Sequence, residues 1–180
     1  QYYKEALDVS QKTGRFQDIA RSCAFLGYFY DLAKEEYAKA KEFHEKAYQF
    51  CEEAKAKSFM TYFSQFAIHA NIELGEIERA KNLLENLYKY ALEVKDKSLI
   101  ASADLLRAMQ LRAQKRWEES IEYFEKSLKE YEALNYSKRN VYLFAKLVLY
   151  EYARVYMERN QKGDKEKALN LLNQALEIFQ

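Results

Sequence analysis

The side chains able to do metal or nucleophilic chemistry are few: two histidines and two cysteines in 180 residues. Neither His44 nor His69 has a second histidine or an acidic cluster at metal-ligand spacing, so no metal site is expected. His44 falls on the core side of a helical pattern, where Leu84 and Phe124 recur, and reads as a satisfied core histidine rather than a ligand. Cys23 and Cys51 are centred on residue 37, beside the turn of a predicted helical hairpin. They should therefore sit at similar height, and two buried free thiols in a reducing cytosol are preferred over a bridge. No glycine-rich phosphate loop, Gly-x-Ser-x-Gly elbow or His-Glu-x-x-His run is present. Acidic residues sit at positions that pair along helices, as Glu122/Lys126 and Glu125/Lys129 do. A non-enzyme without a cofactor is the expectation.

The composition limits what could position such residues. Twenty-nine basic side chains against 28 acidic ones leave a net charge of +1, with no general pull toward nucleic acid or an anionic membrane. The basic groups at 39–41 and 55–57 are interleaved with glutamates and make poor nucleic-acid patches. No apolar run approaches the roughly 20 residues a membrane span requires, and no signal peptide opens the sequence. There is no proline and there are four glycines, too little turn punctuation for an all-β or α/β domain. Lysine exceeds arginine and glutamate exceeds aspartate, which suits long helices and leans toward a thermophilic source.

Internal repetition carries the strongest signal. Ala40, Ala80, Ser120 and Ala168 open similar amphipathic patterns at spacings of 40, 40 and 48. Ala47, Leu87, Ser127 and Ala175 follow seven residues later at the same spacings. A second helix precedes each, over 16–33, 58–74, 98–114 and 138–160. The joins Leu74-Gly75-Glu76 and Gln161-Lys162-Gly163-Asp164 read as glycine-bearing helix ends, and Lys115-Arg116 takes the same role without glycine. Ser58 and Ser98 are the expected N-caps. The result is an all-α chain of about nine helices, read as one domain over 1–180: a lone second helix at 1–12, then repeats at about 16–55, 58–95, 98–134 and 138–180. One helix pair cannot bury its apolar face alone, so neighbours must stack as an α-solenoid. Small residues let helix axes approach to about 8–10 Å. The helix at 138–160 is apolar nearly all round and should be covered by both the preceding pair and the last helix. The apolar, uncapped ends imply either a piece of a longer protein, the preferred reading, or self-association.

Leu26-Gly27 with Tyr30, then Ala40 and Ala47, and later Leu74-Gly75 with Ala80, Ala108 with Trp117, and Ala153-Tyr156 with Ala168-Ala175 resemble the tetratricopeptide repeat family. The length near 40 residues and the missing closing proline are similar to the longer variant in MalT-like signalling regulators. The resemblance implies a right-handed superhelix of antiparallel helix pairs whose inner face comes from the first helix of each pair. It nominates Arg21, Tyr28, Tyr62, Gln65, His69, Met109, Arg112, Arg154 and Glu158 as partner contacts. The implied function is a cytoplasmic, non-catalytic scaffold taking a peptide, helix or neighbouring domain. The alternative is a small-molecule-sensing arm of a signalling or transcription regulator.

Overall fold

The computed structural model describes residues 2–135 and 144–178, and among them all regular structure is helical. It forms two compact units, residues 1–90 and 91–180. The first holds α1 (Tyr2–Thr13), α2 (Phe16–Tyr28) ending in a π-helical turn (Phe29–Ala33), α3 (Tyr37–Glu53), α4 (Lys57–Glu73) and most of α5 (Ile77–Glu93). The second holds α6 (Lys97–Ala113), α7 (Trp117–Ala133), a π-helical stretch (Phe144–Tyr150) running into α8 (Glu151–Arg159), and α9 (Asp164–Glu177).

A backbone period of 20 residues underlies the 40-residue repeat. Glu35, Lys55, Gly75, Lys95, Lys115 and Asn135 all adopt left-handed backbone, with φ between 52° and 75°. At four of these turns the next amide closes the helix end on the carbonyl five residues back: Ala56 on Cys51 (2.8 Å), Glu76 on Asn71 (2.8 Å), Asp96 on Ala91 (3.1 Å) and Arg116 on Leu111 (2.9 Å). Glu36 reaches one residue further, to Tyr30 (2.8 Å), because the π turn adds a residue to the end of α2. Only Gly75 is free of the Cβ penalty among these six positions; the other five accept it in return for a fixed helix-to-helix angle.

Burial repeats with the same register. Positions 40, 44, 47 and 51 of α3, 80, 84, 87 and 91 of α5, and 120, 124, 127 and 131 of α7 are all buried. The small side chains touch backbone: Ser120 Oγ donates to the Ala108 carbonyl (2.8 Å) and Ser127 Oγ to that of Ala101 (2.9 Å), so α7 lies directly on α6. In the first unit α1 packs on α2, α2 on α3 and α3 on α4. In the second, α8 and its π stretch pack on both α7 and α9, with Phe124 stacked on Tyr152 at 5.1 Å. The expected two-sided cover is therefore present over the described part of that helix; positions 138–143 lie outside the described residues. Two expected caps are corrected. Asp96, not Ser98, caps α6, accepting from the Ser98 and Leu99 amides, and the cap position of α4 is Ala56 rather than Ser58. Asp96 wins because a carboxylate also faces the positive end of the helix. The helix end before Gly163 is made by Asn160 in left-handed conformation, and Gly163 instead starts α9.

Candidate functional site

The first unit carries two features that burial alone would not produce. One is a groove between α2 and α4, about 430 Å³, lined by Arg21, Phe25, Ser58, Phe59, Tyr62 and Phe63. Phe25, Phe59 and Tyr62 expose 45%, 36% and 51% of their surface there, on two helix faces where core packing would have hidden them. Rings four apart on α4 brace one another: Phe59 stacks on Phe63 at 6.1 Å, and Tyr62 meets Phe66 edge-on at 6.2 Å. Tyr28 from α2 closes on the same Phe66 at 5.2 Å. The Arg21 guanidinium lies 5.6 Å from the centre of the Phe59 ring. It makes no ion pair among the described residues, so its hydrogen-bonding edge is open to a ligand.

The other is a buried polar cluster. Asp31, in the π turn of α2, lies between His69 of α4, whose Nδ1 is 2.7 Å from its Oδ1, and His44 of α3, whose Nε2 is 3.9 Å from its Oδ2. All three side chains are buried. His44 stacks on Phe66 at 5.8 Å, and neither of its ring nitrogens has a hydrogen-bond partner among the described residues. The expected core histidine is therefore buried, with Asp31 as its nearest charged group and no hydrogen bond among the described residues. Desolvation pushes its pKa down to about 4; Asp31 opposes that shift and His69 adds to it. No group of three or more candidate ligands stands at metal-binding geometry among the described residues.

Unfolded chains take up a proton on this imidazole near pH 6.5, whereas the folded protein resists until about pH 4. Stability is full above pH 6.5 and falls as the pH drops toward 4. Between pH 7 and 5 the loss from His44 should be about 2 kcal/mol, read from urea midpoints. His44→Leu should flatten that limb; an unchanged slope would remove the neutral-imidazole assignment.

Of the nine nominated contacts, the structure gathers Arg21 and Tyr62 in the groove, with Tyr28 against its Phe66 support. Gln65 donates to the Tyr62 carbonyl, one turn along the same helix (3.1 Å). His69 belongs to the buried cluster, and Met109 is fully buried in the second unit, without a free face for a partner. Arg112, Arg154 and Glu158 meet one another and the buried Glu151: Arg112 lies 2.6 Å from Glu158 and 3.5 Å from Glu151, and Arg154 2.9 Å from Glu151. Phe25, Phe59 and Asp31 were missed. Apolar rings on neighbouring turns of helices that already have a full core stripe would have signalled the first two. Cys23 and Cys51 are free thiols packed in one cluster with Ile19, Ala47 and Phe63; burial pushes the Cys23 pKa up to about 11, so it stays protonated.

No described helix is long and apolar enough to cross a membrane. No protein-family model matches the chain, and comparison with curated proteins gave no significant match.

Proposed function

We propose that this chain is a non-catalytic protein-interaction module of the tetratricopeptide type, its helix pairs wound as a right-handed superhelix, working in the cytoplasm. The observation that carries this is the α2–α4 groove, in which exposed aromatic rings lie beside an arginine that makes no ion pair among the described residues. Rigid rings give large contact area at little entropic cost, and an arginine edge forks onto a carboxylate. The partner is a peptide or helix that offers an apolar anchor with an acidic residue beside it. Two reduced thiols in one core cluster suit a reducing compartment. A second reading, the small-molecule-sensing arm, draws support from a cavity of about 280 Å³ elsewhere in the same unit.

The test is selection from a peptide library followed by calorimetry. Phe59→Ala and Tyr62→Ala should each weaken the selected peptide about tenfold or more. Arg21→Ala should weaken only acidic peptides and leave the residual binding less sensitive to salt. Selected peptides whose affinity ignores all three changes would place the interaction surface elsewhere.

A further inference from the structure

Helix α9 is covered less than its three counterparts in the repeat. The register of Leu172 holds His44, Leu84 and Phe124 in α3, α5 and α7, all fully buried, whereas Leu172 is half-buried. Ala175 falls short of Ala47, Leu87 and Ser127 in the same way. Leu169 and Leu176 expose 55% and 62% of their surface, although the residues at their registers in the other three helices are half-buried. With about 100° of turn per residue, these four positions fall within about 120° of arc and make one apolar face. α9 packs on α8 and its π stretch, yet this face stays open.

The repeat shows what belongs on such a face. α3 is covered by α4, and α7 by α8. Each covering helix seats an aromatic ring on the register of Leu172: Phe66 stacks on His44 at 5.8 Å, and Tyr152 on Phe124 at 5.1 Å. Phe144 meets Tyr131 at 6.5 Å, so residue numbers rise along the cover as they fall along α7, and the two run antiparallel. Seven residues after the seated ring, the covering helix reaches the start of the covered one. Arg159 does so in α8, 3.3 Å from Glu118 of α7; Glu73 holds the same place in α4.

Charge narrows the occupant. The start of α9 carries Lys165 at the register of Tyr37, Ile77 and Trp117. It is exposed and makes no ion pair among the described residues, so it favours an acid opposite. A second copy of this chain offers no such helix, because the ring-bearing faces of its α4 and α8 already lie on α3 and α7.

We propose that the open face of α9 docks an amphipathic helix of a partner protein, antiparallel to α9, with an aromatic ring on Leu172 and, seven residues later, an acid facing Lys165. The site continues the packing already used twice within the chain and is separate from the α2–α4 groove.

The experiment is calorimetry on the whole chain with two end-capped peptides copied from it, residues 57–74 and 144–160. A lactam staple on the solvent side of each offsets the nucleation cost of a short helix. Both carry the seated ring, but one sets Glu73 and the other Arg159 opposite Lys165. Peptide 57–74 should bind about fivefold tighter at low salt, with the gap closing as salt is added. Lys165→Glu should reverse the preference. Leu169→Glu and Leu176→Glu, both at exposed positions the fold tolerates, should each weaken binding about tenfold, whereas Phe59→Ala should change nothing. No binding of either peptide at about 1 mM, or binding that ignores both leucine changes, would overturn the proposal. So would a dimer mass in light scattering that Leu176→Glu returns to that of a monomer, since the face would then belong to a second copy.

Discussion

Gly27→Ala should destabilise the protein by about 3 kcal/mol, although alanine is the better helix former by about 1 kcal/mol. The cause is steric and local. A Cβ at residue 27 would stand less than 3.0 Å from Cε1, Nδ1 and Nε2 of His44, a ring with no exposed surface that is stacked on Phe66. A packed imidazole has nowhere to retreat without displacing α4 or the Asp31–His69 pair. The repeat supplies the control. Forty residues on, the same two registers hold Ala67 and Leu84, both buried. Gly27→Ala combined with His44→Leu should therefore recover most of the loss, giving a coupling of 2 kcal/mol or so in a double-mutant cycle. Equal urea midpoints for wild type and Gly27→Ala, followed by far-ultraviolet circular dichroism, would show that the ring moves freely and that glycine is not required.

That pair also shows what could be read in advance. Alternation of small and large side chains at Ala40, Ala80 and Ser120 is a local pattern with a fixed period, and it placed the buried face of three helices correctly because burial repeats when packing repeats. Gly75 could be seen as a helix end, since glycine is the residue such an end prefers. Lys115 takes the same backbone at a join that the repeat spacing marked without a glycine, and Lys95 takes it too, because helix packing outweighs a conformational cost of about 1 kcal/mol. His44 was legible as a core position. Its lack of a hydrogen bond among the described residues was not, because its surroundings are Gly27, Phe66 and an aspartate in a π turn whose extra residue no periodicity predicts. The groove was half legible. Arg21 and Tyr62 came from the resemblance, but the rings that complete it, Phe25 and Phe59, look like core residues until the helices are seen to bury other faces.

Arg112 illustrates the opposite failure, and removing it should have a comparably large effect. The i,i+3 and i,i+4 pairs Glu151/Arg154 and Arg154/Glu158 can be read along α8 alone. What the sequence hides is that Arg112 arrives from α6 with its side chain only 5% exposed, 3.5 Å from Glu151, which is 1% exposed. Arginines offered as hooks for an acidic partner are thus engaged with internal acids. Arg112→Met keeps the bulk of the side chain but leaves Glu151 buried with Arg154 as its cationic neighbour among the described residues. The expected loss is about 3 kcal/mol, near the low end for a broken buried pair because Arg154 remains. Glu151→Gln in the same background should restore part of it, since a neutral amide is cheaper to bury than an unpaired carboxylate. Arg112→Lys should not rescue fully, because an ammonium cannot reach Glu151 and Glu158 with the spread of a guanidinium. Trp117, the single tryptophan, starts α7 in this same unit and so reports its unfolding directly. If Arg112→Met left the urea midpoint of Trp117 fluorescence unchanged, the network would be a surface pairing of little weight, and Arg112 would again be available to bind an external acid.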